Sequence, residues 1–406
     1  MDIKMADRAT IREFPNKKIV EKKNKEIVYI DYTLIIVFAI IIVFGLIMVY
    51  SASYYEALIK FNNPRLYLDN QIEATVIGLV LMVITIIIPY KFWRSWGILP
   101  YIFSILMILL VIPFGVSSYG AKRWIDFFGI IRFQAVEPVK LGLIISMASF
   151  IEGYRNELKN WRKFIPPILA IILLAVLIYK VTNNLSSAII LVGIGGVMLF
   201  IGTKNYKFFG ICTIIAMVVA VIGVNYIIKN AEEAIENKEK LNFREERLLA
   251  WKDLEKYDTD KGFQTQQGLY AIGSGGIKGN GLGKSVQKLG QLPEAQNDMI
   301  FPIICEEIGM IGGLSVIALF GFLIWRMYVI AMNAKDIQGS MLVIGVMAQI
   351  IIQVLLNIAV VTNTIPNTGI SLPFFSYGGT SVAFLLIEMG LVFNVMRTIR
   401  LEIITK

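Results

Sequence analysis

Asp298 stands where the longest polar stretch of the chain meets an apolar run, within Gly290 to Phe301 (GQLPEAQNDMIF). A carboxylate at the entrance to a membrane is costly and tends to serve a function. Read locally, the same aspartate could cap a helix, satisfying free backbone amides and meeting the positive end of the helix dipole. Glu294 lies one turn before it, and Glu306 and Glu307 lie about two turns beyond. The chain contains no histidine, so the commonest general base and metal ligand are missing and proton transfer falls to Asp, Glu, Lys or Tyr.

A second charged set is Gln134, Glu137 and Lys140, spaced three apart and expected on one face of a helix from about Gln134 to Ile151, with Arg132 at its mouth. Such a face either locks helices together through an ion pair or marks a substrate path. Arg132 and Lys140 together would suit a diphosphate. Arg123 sits nearby in a polar, aromatic loop from Ser117 to Asp126.

The glycine-dense run Phe263 to Ser285 (FQTQQGLYAIGSGGIKGNGLGKS) invites a nucleotide reading that its spacing refuses. A phosphate-binding P-loop needs glycine where Lys278 stands, and no strand precedes it. Two readings remain: a tight turn over the bundle, or backbone amides that hold a diphosphate. The uncharged segment Thr364 to Ser381 alternates apolar residues with Pro and Gly and is expected to be re-entrant, buried in protein or lining a cavity that Asn357 also faces.

These residues need elements to hold them. In 406 residues, 56% are hydrophobic and only 17% charged, which describes an all-α, polytopic membrane protein. Apolar runs of spanning length are expected near 34–53, 72–89, 97–116, 134–151, 165–179, 185–202, 208–228, 300–324, 341–361 and 379–396, about ten transmembrane helices. Between the seventh and eighth runs a long loop, about 229–298, is expected to form an extracytoplasmic cap. The domain reading is a basic cytoplasmic tail (1–33), one membrane domain (34–400) and a short C-terminal tail (401–406).

Lys and Arg concentrate in the N-terminal tail and in the loops that ten crossings place on the same side. Both termini are therefore expected in the cytoplasm, with Asp298, the Trp124 loop and the long loop outside. The net charge of +9 is spread over tails and short loops, not gathered in one patch, which argues against nucleic-acid binding. Cys212 and Cys305 lie in apolar runs and imply no disulfide framework. The charged first thirty residues and the long first apolar run are unlike a cleavable signal peptide.

From Asp31 to Arg397 the chain resembles the shape, elongation, division and sporulation (SEDS) family, which includes FtsW, RodA and SpoVE. The resemblance rests on GLIMVYSAS (45–53), GAKRWID (120–126), RFQAVEPVK (132–140), Leu269 to Gly283, LPEAQNDMIFPIICEEIGMIGG (292–313) and LPFFSYGGTS (372–381). It implies a peptidoglycan glycosyltransferase that polymerises lipid II at the outer face of the bacterial cytoplasmic membrane, in septal synthesis by its closer wording to FtsW and SpoVE, with RodA-like elongation or SpoVE-like sporulation synthesis as the alternatives. Implied partners are lipid II, an undecaprenyl-linked glycan strand, a class B penicillin-binding protein, and divisome or elongasome membrane proteins.

The family's proposed catalytic aspartate corresponds to Asp298. Arg132, Glu137, Lys140, Arg123, Glu294 and Lys288 are substrate-binding candidates, and magnesium or manganese is the cofactor left open. Two departures matter. Proline has moved to Pro138, which is harmless if the helix starts near Ala135 and a kink if it starts earlier. Asn183-Asn184 also stands where many members carry Pro-Asp. A lipid II flippase is the rival from another functional class; detergent-solubilised protein either makes polymer or does not.

Overall fold

The computed structural model describes residues 26–118, 121–127, 131–158, 160–203, 205–237, 241–254 and 260–402. Most of the basic N-terminal tail, Gly120, Lys159, Lys204 and residues 403–406 lie outside them, so the sequence expectations for these stretches have no structural counterpart.

Apolar runs fold as helices because each backbone group then finds its partner within its own segment. Strand β1 (Glu26–Val28) leads into α1 (Tyr32–Phe61), followed by α2 (Leu66–Ile87), α3 (Phe92–Ser95), α4 (Ile98–Leu109) and α5 (Val111–Phe114). Strands β2 (Gly115–Ser118), β3 (Ala121–Phe127) and β4 (Ile131–Gln134) precede α6 (Val136–Tyr154), α7 (Trp161–Thr182), α8 (Leu185–Thr203) and α9 (Tyr206–Glu236). Two cap helices, α10 (Phe243–Lys252) and α11 (Asp260–Ser274), come before α12 (Ile300–Met332), α13 (Ile337–Val361), α14 (Gly379–Thr398) and β5 (Arg400–Glu402).

Among the described residues, 8 helices are long and apolar enough to cross a membrane: α1, α2, α7, α8, α9, α12, α13 and α14. The shorter apolar stretch Ile98–Phe114 and the charged α6 lie where the other two crossings were expected, but neither is among those eight. Helix α13 is central, packing on α6, α8, α12 and α14, while α2 lies along α14 and α1 along α12. Helix α9 is peripheral, with only 6% of its most apolar window buried.

Three sequence expectations change. The Trp124 loop is a three-stranded antiparallel sheet, β2-β3-β4, pairing Trp124 with Gln134 and Asp126 with Arg132. That pairing holds residues 131–134 extended, so the helix begins at Val136 and Gln134 does not share a helical face with Glu137 and Lys140. Pro138 is then the third helical residue, whose missing amide costs nothing. Finally, α9 continues to Glu236, so the segment expected as a loop from about 229 begins as helix.

Strand β1 pairs antiparallel with β5, which brings the two ends of the membrane domain to the same side of the bundle. Beside them Asp31 caps α1 by accepting from the Leu34 amide (3.0 Å) and pairs with Arg326 of α12 (2.6 Å).

Helix α12 is broken inside. Gly309 adopts φ 78°, ψ −169°, a conformation open to glycine and strained for other residues. The glycine-dense turn after α11 fills the break: the amides of Asn280 and Gly281 donate to the Glu306 and Glu307 carbonyls (both 2.9 Å). In return, Met310 donates to the Gly276 carbonyl (2.8 Å) and Ile311 to the Ile277 carbonyl (3.4 Å). A Cβ on Gly279 would sit 2.2 Å from the Glu307 carbonyl oxygen. The glycine run is therefore a tight turn docked on the bundle. Four of its polar groups are committed to α12, so a diphosphate cradle at Asn280 and Gly281 is ruled out.

Candidate active site

The cap is pinned from two directions. Helix α10 opens with a capping box between Asn242 and Glu245. Its Arg244 donates to Tyr179 Oη (2.7 Å) and Asn183 Oδ1 (2.6 Å) at the turn between α7 and α8, and Trp251 donates to the Asn363 carbonyl (3.1 Å) beyond α13. A small core of Ile228, Ala231 and Leu249 joins α9 to α10. One helical turn after Arg244, Arg247 is thereby aimed into the space between cap and bundle.

That space is a cavity of about 800 Å³. Asp298, Arg123, Arg247, Glu294 and Lys288 all line it, together with Gln264 of α11 and the C-terminal end of α1. Asp298 is buried to 7% exposure. It is not a helix cap: Met299 occupies the N-cap position of α12 and makes no side-chain capping bond.

Asp298 is held instead by tertiary contacts. Gln264 Nε2 reaches its Oδ1 (3.4 Å) and also donates to the Pro293 carbonyl (3.2 Å), while Asn367 Nδ2 donates to Gln264 Oε1 (3.1 Å). Asn357 of α13 donates to the carbonyls of both Asp298 (2.9 Å) and Ile370 (2.8 Å). Ser376 donates to the Asn297 carbonyl (2.7 Å) and the Tyr377 amide to that of Gln296 (2.8 Å). The segment 364–378 is thus irregular backbone packed beneath the site, and Asn357 ties the two together from the core; it is fully buried and, unlike the sequence expectation, does not line the cavity. Gly369, at φ 67°, lets this backbone pass close to the Asp298 carboxylate: a Cβ there would lie 3.7 Å from Oδ2.

Two arginines border the same cavity. Burial pushes the Arg247 guanidinium down to about 10, neighbouring Arg123 pushes the same way, and the Asp298 carboxylate opposes. Arg123 is also lowered by burial, and its Nε has no hydrogen-bond partner among the described residues. Arginine stays protonated near neutrality despite such shifts. What they express is the cost of placing two cations in a poorly solvated site, a cost that a bound anion offsets. Arg247 was missed in sequence because it lies in a charged stretch (FREERLLAWK) with no spacing that singles it out; only the pinning of α10 aims it.

Glu137, Lys140 and Arg132 of the expected charged face lie away from the cavity, and Lys288 at its edge is already paired. Glu137 and Lys140 form a buried ion pair (2.9 Å) and do not line the cavity. Near them Gln349 of α13 donates to Glu388 of α14 (2.8 Å). This polar cluster among α6, α13 and α14 fits the helix-locking alternative. Arg132 is exposed on β4, over the Trp124 ring at 5.5 Å, also outside the cavity. Lys288 does border the cavity, yet its Nζ is taken by Glu307 (2.6 Å) and Ser51 (3.1 Å). Glu306 accepts from the Val286 amide (2.8 Å) and from Ser285 Oγ.

No group of three or more Cys, Asp or Glu among the described residues could hold a metal ion. Magnesium or manganese arriving with the oxygens of a diphosphate would find Asp298, Glu294, Glu56 and Glu246 as carboxylates on the cavity wall, oxygen donors of the kind Mg²⁺ accepts.

A family model described as "Cell cycle protein" (FTSW_RODA_SPOVE) matches residues 31–401. Stage V sporulation protein E of Bacillus subtilis (strain 168) is 36% identical over 372 residues, 90% of this chain and 97% of that protein. A probable peptidoglycan glycosyltransferase FtsW of Geobacter metallireducens is 34% identical over 375 residues, 91% of this chain and 96% of that one. Among solved structures, a chain from a peptidoglycan synthase complex that coordinates polymerization and crosslinking superposes with TM-score 0.70 at 23% identity, over 91% of this chain and 98% of that chain. The rod shape determining protein RodA of Thermus thermophilus gives 0.64 at 24%, over 91% and 97%. At these identities the two structures establish a shared fold.

Proposed function

The chain belongs to the FtsW, RodA and SpoVE family of cell cycle proteins, and from that premise we propose how it works and where. It is a peptidoglycan glycosyltransferase. Its substrate is lipid II at the outer face of the cytoplasmic membrane, both termini are cytoplasmic, and the strand it makes serves septal synthesis. The septal reading follows the relatives named FtsW and stage V sporulation protein E. A class B penicillin-binding protein is the crosslinking partner.

In the reaction a new bond forms between the 4-hydroxyl oxygen of one lipid-linked disaccharide and the anomeric carbon of the growing lipid-linked strand. The bond from that carbon to the diphosphate breaks, the diphosphate leaves with the electron pair, and the hydroxyl proton needs an acceptor. Asp298 is that acceptor. Gln264 and the Asn357-held backbone fix its carboxylate, so orientation is settled before substrate arrives. Arg123 and Arg247 stabilise the charge gathering on the departing diphosphate, the role that the sequence reading gave to Arg132 and Lys140 with Arg123 as a helper. A divalent cation bound with the diphosphate would add further positive charge there.

The observation that carries this reading is a single cavity that joins a fixed, buried carboxylate to two half-buried guanidinium groups. Asp298→Asn in the purified protein is expected to abolish polymer from labelled lipid II in detergent while leaving the thermal melt unchanged. Polymer from that variant would refute the base assignment, and a wild type that makes none would refute the activity.

A further inference from the structure

The cavity is chemically two-ended. At one end Arg247 and Arg123 lie together, and Asp298 and Glu246 beside them make two guanidinium groups for two carboxylates. The last turns of α1 line another part of it, where Tyr55, Glu56 and Lys60 come together with Glu294 and Gly290. Glu56 is set by two bonds: Lys60 Nζ reaches its Oε1 at 2.8 Å and Tyr67 Oη donates to it at 3.2 Å. Glu294 lies within electrostatic reach of both Lys60 and Tyr67. Tyr67 continues as an aromatic wall, edge-on to Tyr377 at 4.9 Å. Gly290, at φ 98°, brings bare backbone up to the Tyr55 ring, 3.7 Å from where a Cβ would stand.

Two carboxylates answered by one lysine repel a diphosphate. They are good acceptors for sugar hydroxyls, and a tyrosine ring offers an apolar face to sugar carbons while its hydroxyl stays polar. A cavity of about 800 Å³ lies in the upper part of the range for a sizeable small molecule, large enough for more than one sugar ring.

We propose that the end of the cavity formed by Tyr55, Glu56, Lys60 and Glu294 is a subsite for a neutral N-acetylated sugar, the one whose 4-hydroxyl attacks, with the diphosphate of the growing strand confined to the Arg123 and Arg247 end. The assignment of sides rests on the glycosyltransferase reading above. It gives the site a direction: acceptor sugar enters along the end of α1, and the leaving group departs beneath the cap. Glu56 orients the acceptor ring, Lys60 and Tyr67 orient Glu56, and Asp298 receives the proton between the two halves.

The test measures binding of each half of the substrate separately to the full-length protein in detergent, so that it does not depend on turnover. The probes are farnesyl diphosphate and a peptidoglycan disaccharide that carries no diphosphate. Glu56→Gln and Tyr55→Leu are expected to weaken the disaccharide about tenfold and to leave farnesyl diphosphate within about twofold. Arg247→Gln is expected to do the reverse. Glu56→Gln is nearly isosteric and Tyr55 lines open space, and melts matching the wild type certify the fold.

Failure of the wild type to bind the disaccharide, a disaccharide affinity untouched by both variants, or a fall in diphosphate affinity with either would overturn the proposal. Failure of the catalytic reading looks different: the binding split holds while the Asp298→Asn protein still makes polymer.

Discussion

Lys288 and Glu307 meet at 2.6 Å with their side chains only 5% and 0% exposed, and Ser51 of α1 closes the cluster. Removing one charge leaves the other almost fully buried without its partner. Lys288→Met is therefore expected to cost about 3–5 kcal/mol, and the double variant with Glu307→Gln to regain most of it; a double-mutant cycle of thermal melts in detergent reads both. Gln264→Leu removes the side chain that reaches Asp298, and is expected to cut turnover about tenfold with little change in lipid II KM.

Arg247 gives a pH expectation. Because its folded value lies below that of a free guanidinium, burial opposes the charged form; that cost is fully present below about pH 10 and is relieved only above it. Farnesyl diphosphate affinity is accordingly expected to be flat from about pH 7 to 9 and to fall beyond about 10, measured by titration in detergent. At this scale the sequence singled out Asp298, Glu294 and Arg123, which the fold brings to one cavity, and Arg132 and Lys140, which it places outside that cavity. The spacing of three failed at Gln134, since it implies one face only if the helix has already begun. Arg247 and Glu56 left no local trace, because their roles come from packing between segments far apart in the chain.

At the scale of elements, Gly309 and the glycine turn form one device. Gly309→Ala places a Cβ 2.4 Å from Gly279 N and from the Ile277 carbonyl oxygen, on backbone already at φ 78°. It is expected to undock the turn, which limited proteolysis between residues 275 and 292 would report as faster cleavage, with loss of polymer formation. A slowly cleaved, active variant would contradict this account. The density of glycine announced an unusual turn in advance. Its partner could not be read, since nothing in Glu306 to Gly312 distinguishes a broken helix from a continuous one. The Trp124 region shows the complementary limit: alternation over a few residues around Lys122 to Asp126 is too short to separate strand from polar loop.

For the molecule as a whole, hydropathy located eight helices long and apolar enough to span, because a bilayer leaves so few alternatives for a backbone. Helix ends were less legible; α1, α9 and α12 run past the lengths the apolar cores implied. The antiparallel pairing of β1 with β5 joins the two ends on one side. Fusions of alkaline phosphatase to either terminus are expected to be inactive, and fluorescent protein at either to be bright. A split result would exclude the paired-end arrangement in the membrane. The same fluorescent fusion at the septum, and not along the side wall, would support the septal role.

The break in α12 also fixes a length. The segment that begins at Gly276 and ends at Asp298 starts and finishes on one helix, spanning Ile300 to Gly309, roughly 14 Å at 1.5 Å per residue. Helix Ile300 to Ile308 thus works as a gauge block that sets how high the carboxylate stands above the glycine turn. Adding or deleting one residue within that block would rotate Asp298 by about 100° and shift it by about 1.5 Å. Lengthening an ordinary surface loop would do neither.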